Sequence, residues 1–292
     1  MNPPTSVRVT RFGTVPEFTA AAESFLVANE AENNLLLGIV TSLPREHEAS
    51  FYLAVANQGE SPKAVAIHTP GFRIVLSFPD RPSVAASFAD DLATRRLPQR
   101  GVLGPPRSAR AFGRRWSART GARVTAGVPQ LIYQSTKVLP PTGVPGSIRN
   151  ARAADRPLLA AWLRGFVRDA MRGEDISEEE AGSRVDAWLG SPDAHVRLWQ
   201  TDRPVSMAVA RGSTPNGIRV GGVYTPPEHR RQGFASACVA ALSHELLEEG
   251  RRFCFLFTDA RNTTSNHIYR VIGYQPVAAV GEFDFEGGLA SG

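Results

Sequence analysis

The chain is poor in cysteine, lysine and long apolar runs, and each shortage narrows what it can be. Cys238 and Cys254 are its only cysteines in 292 residues, which fits a reducing compartment. Both fall on apolar faces, so they read as inert core thiols rather than redox or nucleophilic groups. No apolar run approaches the roughly 20 residues that cross a bilayer, so no membrane partner is expected. The start, Met1-Asn2-Pro3-Pro4, lacks the charged and apolar regions of a signal peptide. A cytoplasmic location is the expectation. His195, His229, His244 and His267 show no metal-ligand spacing, and no metal is expected. Lys63 and Lys137 are the only lysines, so the net charge of +5 and pI of 9.7 are carried by arginine. Arginine in place of lysine, with abundant Ala, Gly and Pro, reads as codon bias. The arginines are scattered except for Arg95-Arg96, Arg114-Arg115, Arg230-Arg231 and Arg251-Arg252. No basic stripe or aromatic platform accompanies them, so nucleic acid is not an expected partner.

What is present is an ordinary hydrophobic share, 42%, on a chain longer than one typical domain of about 100–150 residues. Leu139-Pro140-Pro141-Thr142-Gly143-Val144-Pro145-Gly146 can hold neither helix nor central strand and reads as a linker. The expected division is therefore residues 1–138, a linker at 139–146, and residues 147–292. After the linker the patterns give a strand at Ile148–Arg152, a helix capped by Asp155, and a helix from Ser177 with Glu180 completing a capping box. Strands are expected at His195–Gln200, Val205–Arg211 and Ile218–Thr225, and a last one at Val277–Phe285. The first half shows a similar succession: helices over Val15–Val40, a strand meander, a helix over Val84–Thr94, a strand at Gly101–Gly104 and a helix over Ala109–Thr120.

One stretch concentrates the chemistry. The strand ending at Thr225 meets a Pro226-Pro227 turn, then the basic loop Arg230-Arg231-Gln232-Gly233, which opens directly into a helix. The helix is legible from Ala235, Cys238, Val239, Leu242 and Leu246 and stops at Gly250. Such a junction aims backbone N–H groups and the positive helix end at one point, an anion site suited to phosphate. Gly233 lets the backbone approach a ligand, and Arg230 and Arg231 add charge. The Walker pattern fails for want of a lysine and the dinucleotide fingerprint for want of spaced glycines. Downstream, Phe253–Thr258 reads as a buried strand. Asn262 then stands where a helix begins, with Ser265 and Tyr269 four residues apart on one face.

Arg230, Gly233 and Ala235, followed by Asn262, Ser265, Tyr269, Gly273 and Tyr274, resemble the two signatures of the GNAT superfamily, the acyl-CoA-dependent N-acyltransferases. The resemblance spans roughly the last third of the chain. It implies the GNAT fold, an α/β (α+β) architecture in which a mixed, mostly antiparallel sheet is flanked by helices. The first half is expected to be a second, degenerate copy in tandem, because its loop Phe78–Ser83 has no glycine, two prolines and an aspartate that repels phosphate.

The resemblance also implies acetyl-CoA as acyl donor, held by Val223, Tyr224, Thr225, Arg230, Arg231, Gln232, Gly233, Phe234, Ala235, Ser236, Asn262, Ser265 and Tyr269. Tyr269 matches the tyrosine that protonates the departing thiolate. The expected partner is a primary amine, most simply of a small molecule, attacking directly. No general base is identified, since no acid occurs in Ile218–Thr225, where many relatives keep a glutamate. Glu174, Asp175, Glu178 and Glu179 fall where the family builds its acceptor walls, yet also read as an acidic helix start. Protein amines as acceptors and an acyl-CoA-binding module without turnover stay open, and a homodimer is compatible.

Overall fold

The computed structural model describes residues 6–44, 51–170 and 175–288. In chain order its elements begin β1 (Val7–Arg11), α1 (Val15–Val27), α2 (Asn34–Ser42), β2 (Tyr52–Gln58), β3 (Ser61–His68) and β4 (Ile74–Leu76). They continue with α3 (Pro82–Thr94), β5 (Gly101–Gly104), α4 (Pro106–Thr120), β6 (Arg123–Ala126), β7 (Gln130–Ser135) and β8 (Ser147–Asn150). Next come α5 (Arg156–Ala170), α6 (Glu178–Gly190), β9 (His195–Gln200), β10 (Pro204–Ser213) and β11 (Gly217–Tyr224). The chain ends with α7 (Phe234–Glu248), β12 (Phe253–Asp259), α8 (Thr263–Val271) and β13 (Gln275–Glu286). Among the described residues no helix is long and apolar enough to cross a membrane.

The chain forms two compact units. The first holds residues 1–132, 258–262 and 277–292, the second residues 133–257 and 263–276. In the first, β1 to β4 pair antiparallel and β4 pairs parallel with β5, matching Ile74 to Val102. The last strand of the chain lies here: Phe283 of β13 pairs with Val102 of β5 on one side and Ala126 of β6 on the other. Alternation along β2 separates two cores. Leu53 and Val55 pack with Phe18, Leu26 and Leu36 of α1 and α2. Tyr52, Ala54 and Ala56 belong with Phe88, Phe112 and Trp116 of α3 and α4. Burying both faces explains the nearly unbroken apolar run of this strand.

The second unit repeats the plan. Strands β8 to β11 pair antiparallel in sequence, and β11 pairs parallel with β12. On one face Leu159, Trp162, Leu163 and Val167 of α5 pack on Val196, Leu198, Met207 and Val209. The other face is covered by α7, whose Cys238, Leu242 and Leu246 are fully enclosed. Ser177 caps α6 through the N–H of Glu180 at 3.0 Å, as the capping pattern anticipates. Asp155 accepts the N–H of Arg152 at 2.8 Å and both arms of the Arg149 guanidinium, tying β8 to the start of α5. Both thiols are free and buried.

Candidate functional site

Two features of β11 shape the site. Its parallel pairing with β12 covers only Gly217 to Arg219 against Phe253 to Phe255. Beyond Arg219 no further pair joins the two strands among the described residues, so Val220 to Tyr224 lack a ladder partner on β12. Against β10 the register slips: Val209 faces Gly221, but Met207 faces Tyr224. One extra residue on β11 makes a bulge, and Gly222 takes φ +56 to form it. Val223 and Tyr224 are thereby re-aimed at the strand's end. Ser206 of β10, fully buried, fixes that end by donating to the Tyr224 carbonyl at 3.2 Å and sharing a 2.8 Å bond with the Thr225 hydroxyl.

The chain then makes a short 3-10 turn at Pro227–His229 and the basic loop. Arg231 has φ +63 and Gly233 φ +81, left-handed conformations that turn the chain out of β11 and into α7. Gly233 is the N-cap of α7, and no acidic residue lies in the first turn. Among the described residues no acceptor meets the N–H groups of Arg231 through Ser236; the first bonded amide is Ala237, at 2.9 Å from the Gly233 carbonyl. A 15-residue helix thus starts with its donors unspent, an arrangement able to receive an anion.

Arg230 is engaged locally. Its Nε donates to the Thr225 carbonyl at 2.9 Å, its Nη2 meets Asp169 of α5, and its guanidinium stands 5.8 Å from the centre of the Tyr224 ring. Tyr224 in turn lies over α5, with Trp162 at 6.4 Å and Gly165 directly beneath its hydroxyl. The ion pair is exposed and stabilises little by itself. Its effect is geometric, holding the end of β11 and the start of the loop to one face of α5.

Tyr269 sits on α8 between Tyr133 and Tyr274, with ring centres at 6.3 and 6.2 Å. Burial pushes its phenol up to about 12, so it carries its proton throughout the neutral range. No hydrogen-bond partner meets its hydroxyl among the described residues. Tyr274 differs: its hydroxyl bonds Ser243 at 2.7 Å deep in the core. Ser265 shares a face of α8 with Tyr269, and Asn262 precedes the helix with its N–H on the Asp259 carbonyl at 3.0 Å.

The remaining expected residues take ordinary positions. Glu178 and Glu179 are exposed in the first turn of α6, and Asp175 accepts the N–H of Ile176 at 2.9 Å. Glu174 lies outside the described residues. Glu228 belongs to the 3-10 turn. Burial holds both cysteine thiols up to about 12, which makes them poor nucleophiles. Sequence reasoning missed Asp169, Gly165, Ser206 and the Gly222 bulge. Only the bulge had a signal, the Gly221-Gly222 pair inside a strand pattern.

The matching loop of the first unit is closed by its own side chains. Asn33 brackets Phe78, accepting its N–H at 2.8 Å and donating to its carbonyl at 3.3 Å. The Arg81 N–H is spent on the Ser108 hydroxyl, and Asp80 accepts from the N–H and hydroxyl of Ser108 at 2.8 and 2.6 Å. Pro82 heads α3, so the first donor of that helix is missing.

Residues 201–280 match the family described as FR47-like protein. Among solved structures, a GCN5-related N-acetyltransferase from Sphaerobacter thermophilus is 16% identical over 98% of this chain and 96% of that one, with a TM-score of 0.60. A tandem GNAT protein from the clavulanic acid biosynthesis pathway is 11% identical over 98% of this chain and 100% of its own, with a TM-score of 0.59. A Drosophila protein is 14% identical over 95% and 98% of the two chains, with a TM-score of 0.66. No curated protein matches the chain. The fold is that of GNAT proteins, laid out twice in tandem. The chain shares this fold with these GNAT proteins, and its FR47-like match is confined to residues 201–280.

Proposed function

We propose that the second unit is an acyl-CoA-dependent N-acyltransferase, moving an acetyl group from acetyl-CoA to a primary amine of a small molecule by direct attack. The observation that carries this reading is the acid-free start of α7, where Arg231, Gln232, Gly233, Phe234, Ala235 and Ser236 keep their N–H groups unspent beside the stretch of β11 that lacks a ladder partner on β12. The loop suits the diphosphate of the donor. The backbone of Val223, Tyr224 and Thr225 suits its extended arm, as a peptide strand suits a free sheet edge. An N–H at the bulge would favour charge developing on the thioester oxygen. Ser265 completes the donor-binding set of this unit.

Tyr269 supplies a proton to the leaving thiolate, a role its raised phenol permits because the proton is retained until it is needed. An alkylammonium, with a pKa of about 10, must lose a proton before it attacks. No carboxylate stands on β11, so water carries that proton. The first unit, its loop filled by Asp80 and Asn33, binds no donor in this reading, and the reaction is cytoplasmic. A second reading, an acyl-CoA-binding module without turnover, is favoured by the missing carboxylate.

Calorimetry with acetyl-CoA tests the first step. One equivalent should bind per chain, and Gly233→Ala should bind at least about tenfold more weakly. Its Cβ would stand 2.9 Å from Val144 Cγ2 in a left-handed conformation that disfavours any side chain by about 1–2 kcal/mol. Absence of binding refutes the proposal. Binding without amine-dependent thiol release selects the second reading.

A further inference from the structure

The face of β10 and β11 that packs on α5 carries two arginines and no acid. Arg211 stands directly opposite Arg219 in the antiparallel pair, each two residues from the Val209–Gly221 pair. Both therefore share the side on which Met207 and Val209 meet α5. Among the described residues neither guanidinium has a hydrogen-bond or ion-pair partner, and Nη1 of Arg219 is enclosed and unpaired. Arg184 of α6, whose charge also reaches Arg211, is neutralised by Glu180 at 2.7 Å. Burial and the neighbouring Arg211 pull the Arg219 guanidinium down to about 10, the mark of a cation short of solvent and counter-charge.

Arg219 is half-buried with its Nη1 enclosed, and Arg211 beside it is exposed. A cationic nitrogen withdrawn from water without a partner costs free energy, and a like charge beside it adds to the cost. An apolar side chain would fill the same space. The pair is therefore best explained by an anion that arrives with a ligand. The donor's phosphates are not that anion in the reading above, which seats them on the loop. Arg219 and Tyr224 lie opposite Arg211 and Met207, four residues apart on β10, so about 13 Å of strand separates them.

We propose that Arg219 and Arg211 form an anion subsite for the acceptor, whose amine therefore belongs to a molecule bearing a carboxylate or a phosphate. This rests on the acyltransferase reading. The planar fork of Arg219 suits either group.

The test pairs amino acids with their carboxamides, and aminoalkyl phosphates with their alcohols. Each is titrated by calorimetry with and without coenzyme A, then assayed for thiol release from acetyl-CoA. The expected result is that one anionic series binds about 10- to 100-fold tighter than its neutral partners, and which series does so identifies the anion. Arg219→Gln should erase that preference and Arg219→Lys keep part of it, with acetyl-CoA affinity unchanged in both. Because Arg219→Gln removes a half-buried charge whose Nη1 has no partner, its Tm should be no lower than the wild type's. No anionic preference, or one that survives Arg219→Gln with Arg211→Gln, overturns the proposal. A lowered Tm with unchanged preference makes Arg219 structural and overturns it too. Anion binding that depends on Arg219, with acetyl-CoA unbound or no thiol released by any amine, refutes the acyltransferase reading instead and leaves an anion site of another kind.

Discussion

Gly165 offers the sharpest test of how α5 positions the donor side of the site. It lies inside α5, and a Cβ placed there would stand 2.4 Å from the Tyr224 hydroxyl oxygen and 2.6 Å from its Cζ. In an unconstrained helix interior, Gly→Ala stabilises by about 1 kcal/mol. Here the added methyl must displace a ring held between Trp162 and Arg230, and overpacking of this kind costs about 1–3 kcal/mol. Gly165→Ala should therefore be destabilising by about 0–2 kcal/mol, a few degrees of Tm for a chain of this size. The larger effect is on binding. Moving Tyr224 loosens the Ser206 contact to its carbonyl and the Arg230 contact to Thr225, both of which set the direction of the loop. Acetyl-CoA affinity measured by calorimetry should fall about tenfold. Combining the change with Tyr224→Phe, which removes the nearest clashing atom, should recover part of both losses. A Gly165→Ala protein with a higher Tm and unchanged affinity would refute the reasoning, because Tyr224 would then be free to move without consequence.

Tyr269→Phe should lower kcat by about 10²–10⁴-fold with little effect on acetyl-CoA binding, and unchanged turnover would remove Tyr269 as the acid. Because burial raises its phenol, the wild-type rate should show no loss centred near the ordinary value of about 10; such a loss, abolished in the variant, would contradict the buried setting. Ser206→Ala should cost about 1 kcal/mol of stability and weaken donor binding, read by thermal unfolding and calorimetry together; unaltered binding would show that the β11 end holds its shape without that hydroxyl. The two thiols are raised from 9.0 to about 12 by burial, so their neutral forms are favoured by the fold. Their contribution to stability is fully present below the unfolded thiol value and is lost as pH climbs from about 9 toward 12. Alkaline denaturation curves of Cys238→Ala and Cys254→Ala should fall less steeply over that window than the wild type's.

The elements that sequence pattern located are those whose pattern reports their own burial. Strand β2 is apolar on both faces because two cores flank it, and α7 shows its stripe because it lies flat on a sheet. Strands β6 and β7 escaped. The first is half-buried at its two middle residues and exposed at both ends, and the second carries Gln130, Gln134 and Ser135, so neither offers a periodic apolar face. The end of the chain was legible as a strand but not by its partners, since pairing with β5 and β6 is a matter of topology that a local pattern does not encode. At the candidate site the loop glycine and the helix start were readable because backbone conformation constrains residue type. Asp169 and Gly165 were not, because a carboxylate and a glycine on α5 gain meaning only when β11 is laid against them.

The two loops that follow β4 and β11 show how little sequence separates a binding surface from a closed one. Both leave the fourth strand of an antiparallel set and enter a helix. After β11, Gly233 takes a left-handed conformation and the donors from Arg231 to Ser236 stay free. After β4, the same kind of junction spends its donors internally: Phe78 on Asn33, Arg81 on Ser108, with Asp80 supplying the negative charge to Ser108. A phosphate entering there would have to displace a carboxylate already bonded at 2.6 and 2.8 Å and would meet Pro82 where a donor is needed. Asp80→Gly alone should therefore create no second acetyl-CoA site, since Asn33 and the prolines would still close the loop. Calorimetric stoichiometry should stay at one per chain; a rise to two would mean that the charge of Asp80 was the sole obstacle and that the first unit is only one residue removed from a working site.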